Sequence, residues 1–117
     1  MTNVEIAKKQ VEFVKSKLRE LDKQLGGKCK GLIIADYTKD EFAKIRPDDD
    51  WSGYIEQRFI FTSLLQREGI EADVMFQQID FDGFTSFCAE QNIGNTEASR
   101  SAYAVLKYGK EHSDDAN

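Results

Sequence analysis

Gly31-Leu32-Ile33-Ile34-Ala35-Asp36-Tyr37 is a continuous apolar run, closed by an aspartate, of the kind found in strands buried on both faces. The segments on either side of it read as helix, and that contrast decides the fold. Upstream, Val4, Ala7, Val11, Val14, Leu18, Leu21 and Leu25 alternate spacings of three and four, an a/d seam three heptads long. Ile6 and Phe13 widen that stripe and Gly26-Gly27 stops it, so one long helix is expected over 3–25. Downstream, a short helix over 39–45 is followed by Pro47 and the acidic run Asp48-Asp49-Asp50, whose carboxylates suit the positive end of the next helix. That helix, 51–68, contains Phe59-Ile60-Phe61-Thr62-Ser63-Leu64-Leu65, apolar around most of its girth, and is expected at the centre of the core. Gly69 ends it.

A second strand is expected over 72–81, with Val74, Met75, Phe76, Ile79 and Phe81 as its apolar members. Gln77 and Gln78 interrupt it, which marks a partly exposed face or an edge. A short helix over 83–91 carries Phe84, Phe87 and Cys88 inward, and a last helix starts at Asn95 or Thr96 and runs through Ala98, Ala102, Val105 and Leu106. The chain thus repeats a plan of helix, glycine stop, strand, aspartate and short helix, with Asp36-Tyr37 and Asp80-Phe81 at matching points 44 residues apart. A strand–helix–strand connection of this length makes neighbouring strands parallel. The expected fold is α/β (or α+β), a small two- to three-stranded sheet, at least partly parallel, covered by about four helices. Residues 1–110 are expected as a single globular domain and 111–117 as a polar tail.

The 117 residues are 40% hydrophobic and 32% charged, a composition that folds rather than staying disordered. The net charge of −5 is unevenly spread: residues 1–30 carry eight basic side chains against four acidic ones, and residues 31–117 carry eight against 17. So acidic a body repels a nucleic-acid backbone, and nucleic acid is not an expected partner. No apolar run approaches the ~18 residues of a membrane span and no apolar stretch opens the chain, so neither a membrane nor a secretory route is expected, and the location is read as cytoplasmic. Cys29 and Cys88 are then reduced thiols, and the lone His112 removes most catalytic triads and histidine-based metal sites.

Ile79-Asp80-Phe81-Asp82-Gly83-Phe84-Thr85 resembles the first motif of the haloacid-dehalogenase phosphatases, a strand ending in Asp-x-Asp-Gly-Thr. The resemblance implies a phosphoryl nucleophile at Asp80, a general acid at Asp82 and magnesium between them. It covers about six residues, Phe84 holds the threonine position, and 35 residues follow Asp82 where that family places the rest of a doubly wound sheet. The competing reading is an aspartate that caps the following helix and a glycine for the turn. Placed as a calcium loop, the same segment puts Gln78 and Ala89 where the two strongest ligands belong. Neither G-x-G-x-x-G nor a P-loop occurs, so no cofactor is expected.

These readings favour a small acidic protein-interaction domain, accessory or inhibitor-like, without catalysis of its own. Its expected interface is the seam Val4–Leu25, taken up by a protein partner or by a second copy in a homodimer. The alternative is a metal-dependent hydrolase or phosphate-ligand binder. Parallel, adjacent strands bring Asp36, Asp80 and Asp82 to one rim, where open α/β sheets bind ligands, and Asn95, Thr96 and Arg100 then offer an anion the start of the last helix.

Overall fold

The computed structural model describes residues 2–27 and 31–112. In chain order these form α1 (Asn3–Gln24), β1 (Leu32–Asp36), α2 (Lys39–Ile45), α3 (Trp51–Arg67), a 3-10 turn (Glu71–Asp73), β2 (Val74–Gln78), α4 (Phe81–Gln91) and α5 (Glu97–His112). The two strands pair in parallel as a two-stranded sheet, the small α/β fold that the alternation of elements implied, with five helices among the described residues. No described helix is long and apolar enough to cross a membrane. The Cys29 thiol lies outside the described residues; the Cys88 Sγ is free and donates to the Gly94 carbonyl at 3.7 Å.

The helices begin where the sequence supplies an acceptor for their unpaired N–H groups. Thr2 Oγ1 accepts from the Glu5 N–H, Thr38 Oγ1 from Glu41 and Asp50 Oδ2 from Gly53. The chain divides into two compact units, Met1–Leu32 with Asp50–Met75 and Ile33–Asp49 with Phe76–Asn117.

In the first unit α1 packs along α3. Gln57 Nε2 donates to the Asn3 carbonyl at 3.0 Å and Lys15 Nζ meets Glu68 Oε2 at 3.0 Å, so the two helices run in the same sense. Ala7, Val11 and Val14 of the seam are buried, Leu18 and Leu21 are half-buried, and Val4 and Leu25 at its ends are exposed. The heptad pattern therefore has a helical neighbour inside the chain. Gly31 enters β1 at φ +133°, and a Cβ there would stand 2.5 Å from the Asp73 carbonyl oxygen, which is why the strand opens on glycine.

The expectation that α3 lies at the centre of the core is overturned. Phe61 and Leu65 are buried, but Phe59 is 73% exposed and Ile55, one turn earlier, is exposed too. Residues two apart on a helix lie on nearly opposite sides, so Phe59 and Phe61 cannot share a buried face.

In the second unit the buried apolar side chains are Tyr37, Phe42, Ile45, Ile79, Phe84 and Ala104. β2 is shorter than the sequence suggested because Glu71–Asp73 take a 3-10 turn and Asp80 caps α4, which starts at Phe81 instead of Gly83. Gln77, read as a mark of exposure, is buried: its Nε2 donates to the Gln78 carbonyl at 2.9 Å and to Glu111 Oε2 at 3.2 Å. α5 continues through Glu111 and His112, two residues into the segment expected as tail.

Candidate functional site

The strand ends are where the sequence placed its carboxylates. Asp36 closes β1 and its carbonyl accepts the Ile79 N–H at 3.0 Å, so β1 and β2 end side by side and Asp80 follows at once. Asp80 is committed to structure. Its Oδ2 accepts the Gly83 N–H at 2.7 Å as the cap of α4, and its Oδ1 accepts both the Tyr103 hydroxyl and Lys107 Nζ, each at 2.8 Å. Partial burial alone would push its pKa up; the bonds from Lys107, Tyr103 and the Gly83 N–H outweigh that and hold it at about 2. Burial, and then the bond to Asp80, push the Tyr103 phenol far above its usual range.

Tyr103 and Lys107 stand four residues apart on one face of α5, so both reach the carboxylate together. Tyr103 also packs on Phe84 and Phe87, with ring centroids 5.9 and 5.6 Å away. Beside this cap, Glu41 Oε2 accepts the Phe81 N–H at 2.9 Å and ties α2 to the start of α4. Asp82 is exposed in the first turn of α4, where its charge complements the helix dipole. Among the described residues no three His, Cys, Asp or Glu side chains stand close enough to hold a metal ion. Asp80 here serves as the cap of α4, with its second oxygen bonded by Tyr103 and Lys107.

The residues around 95–100 do meet, through a different geometry from the one expected. Thr96 Oγ1 accepts the Ser99 N–H at 3.1 Å and Ser99 Oγ accepts the Thr96 N–H at 2.8 Å, a reciprocal cap that uses the free groups at the start of α5 itself. Asn95 instead links elements: its Nδ2 donates to the Ile45 carbonyl at 2.7 Å and its Oδ1 accepts from Arg100 Nη1 at 2.8 Å.

Two residues that the sequence reading left aside complete this corner. Tyr37, just past β1, is only 6% exposed and packs edge-on against Phe42. The Arg46 guanidinium lies 5.8 Å from the Tyr37 ring centre and 5.2 Å from that of Phe42, and its Nε bonds Asp49 Oδ2 at 2.8 Å. Burial raises the Tyr37 pKa, and the nearby charges of Arg100 and Arg46 only partly oppose that shift, so the phenol is neutral at pH 7. Desolvation lowers the Arg46 pKa, but the bond to Asp49, the charge of Asp49 and the contact with Tyr37 together outweigh it and the net shift is upward. The signal available in the sequence was position: an aromatic hydroxyl one residue past a strand end and an arginine closing the helix after it.

Two apolar surfaces remain. On the first unit Phe59 and Phe13, 63% exposed, project from α3 and α1, and a cavity of about 360 Å³ opens beside Lys15, Leu18, Asp22 and Asp73. On the second unit α5 turns part of its apolar surface outward. Ser99 and Ala104 are buried and Tyr103 and Lys107 half-buried, whereas Ala98, Ala102, Val105, Leu106 and Gly109 are exposed along one stripe. The Asp80 site explains this orientation, because aiming Tyr103 and Lys107 at the strand end rotates Val105 to the far side of the helix. Comparison with protein-family models, curated proteins and solved structures finds no match to this chain.

Proposed function

We propose that this chain is a small protein-interaction domain, accessory or inhibitor-like and without catalysis of its own, that binds a helix of a partner protein along the outward face of α5. The observation that carries this reading is the exposure of Val105 (51%) and Leu106 (41%) on a helix that turns Ser99, Tyr103 and Lys107 inward with Ala104. A contiguous apolar stripe held outward by a half-buried polar network is a docking surface in search of an apolar partner. Ala98, Ala102 and Gly109 set small side chains along the same stripe, which lets a second helix approach closely. Charge supports the choice of occupant. The second unit carries twelve acidic residues against six basic ones, so the complementary segment is an amphipathic helix with basic flanks.

A short Leu/Lys amphipathic peptide is the probe. Titrated into the labelled protein, it shifts the amide resonances of residues 98–109, and Leu106→Asp abolishes the effect. Absence of shifts, shifts confined to α1, or equal binding of the matching Leu/Glu peptide contradicts the reading.

A further inference from the structure

The outward side of α3 carries a stripe that neither the Asp80 cap nor the α5 surface uses. Ser52, Ile55, Phe59, Ser63 and Gln66 follow one another at spacings of three and four, and all five are exposed. Phe59 stands at the middle of the stripe and is, at 73%, the most exposed large apolar side chain among the described residues. The stripe runs about 21 Å along the helix. It holds no formal charge, in a chain that is 32% charged. Ser63 Oγ donates to the Phe59 carbonyl at 2.9 Å and Thr62 Oγ1, beside the stripe, to the Arg58 carbonyl at 2.9 Å, so neither hydroxyl proton is left unpaired when the face is covered. We propose that this face binds a second copy of the chain, as an antiparallel pair of α3 helices with the two Phe59 rings at the two-fold axis.

Three arguments select a second copy as the occupant. Copies with a net charge of −5 repel one another, and a two-fold contact sets a patch against itself, so self-association needs a neutral face. The stripe is also symmetric about Phe59. An antiparallel pairing centred there sets Ile55 opposite Ser63 of the second copy and Ser52 opposite its Gln66, large against small. The flank supplies charge complementarity. Glu56 and Arg67 are both exposed and, about three turns apart, lie on one side of the stripe. A parallel pairing sets each against its own like charge. The antiparallel one turns each Glu56 towards Arg67 of the other copy, offset along the axis by about 7.5 Å, a gap that two long side chains span. One helix face buries less than the ~1,200 Å² of a stable complex, so the dimer is weak, with a dissociation constant on the order of 0.1 mM.

Sedimentation equilibrium of the full chain from about 20 µM to about 1 mM is the experiment. The expected result is a mean mass that climbs from the monomer towards twice that value and no further. Phe59→Ser, a change at a solvated ring, should weaken association at least about tenfold. Glu56→Arg and Arg67→Glu should each weaken it about threefold, and the two together should restore it. A mass that stays monomeric throughout, or one that grows past the dimer, would overturn the proposal. So would a dimer that Phe59→Ser leaves undiminished and Leu106→Asp abolishes, or a double charge variant no tighter than either single one.

Discussion

The Tyr103 hydroxyl occupies the space that a side chain at Gly83 would fill. A Cβ on Gly83 would collide with that hydroxyl and stand 2.6 Å from Asp80 Oδ2. The glycine that made residues 79–85 look like a catalytic motif is thus explained by the close approach of α5 to the first turn of α4. The same approach delivers Tyr103 and Lys107 to Asp80 and turns Val105 and Leu106 outward.

Gly83→Ala is expected to destabilise the fold by about 1–3 kcal/mol, through the clash and the loss of the Tyr103–Asp80 bond. Tyr103→Phe removes the colliding oxygen. In that background the added cost of Gly83→Ala should fall by roughly half, a coupling that a double-mutant cycle of urea unfolding measures directly.

The Asp80 carboxyl titrates at about 2 in the folded chain, below its ordinary value of ~3.9. A depressed carboxylate pKa contributes stability that is present above about pH 4 and lost as pH falls through 2. The side chain is 38% exposed, and screening by solvent reduces the contribution to about 1 kcal/mol. Asp80→Asn, which can still cap α4, should therefore narrow the stability difference between pH 7 and pH 2 by about that amount.

Val11 is buried where α1 packs along α3, whereas Leu18 on the same seam is half-buried. Val11→Asp is expected to cost about 3 kcal/mol or more, and Leu18→Asp clearly less, because a half-exposed charge keeps part of its hydration. Thermal unfolding of the two variants gives the order.

Phe59→Ser should leave the melting temperature nearly unchanged, within about 0.5 kcal/mol in stability, since the ring is solvated. A large loss would mean that the ring is buried in solution.

Much of this architecture was legible from periodicity. The seam of α1, the apolar run of β1 and the glycine stops mark elements whose bounds agree with the structure to within a few residues. Strand direction followed from the length of the connection. What the sequence concealed was orientation about helix axes. An apolar stripe announces a helix but not which way it faces, and α5 is rotated by a polar demand from Asp80, 23 residues before Tyr103, that no local pattern encodes. α3 hid its buried side for another reason: with apolar residues on all sides, Phe59 and Phe61 look alike. Asp36 closes β1 and Asp80 follows β2, but what Asp80 does depends on partners such as Lys107 that only the fold brings near.

The outward orientation of α5 is the claim on which the functional reading rests, and solvent paramagnetic relaxation of side-chain methyl groups by a soluble gadolinium chelate tests it most directly. The Val105 and Leu106 methyls should relax strongly, while those of Leu65 and Ile45, each 1% exposed, stay protected. Protection of Val105 and Leu106 equal to that of Leu65 would contradict the account.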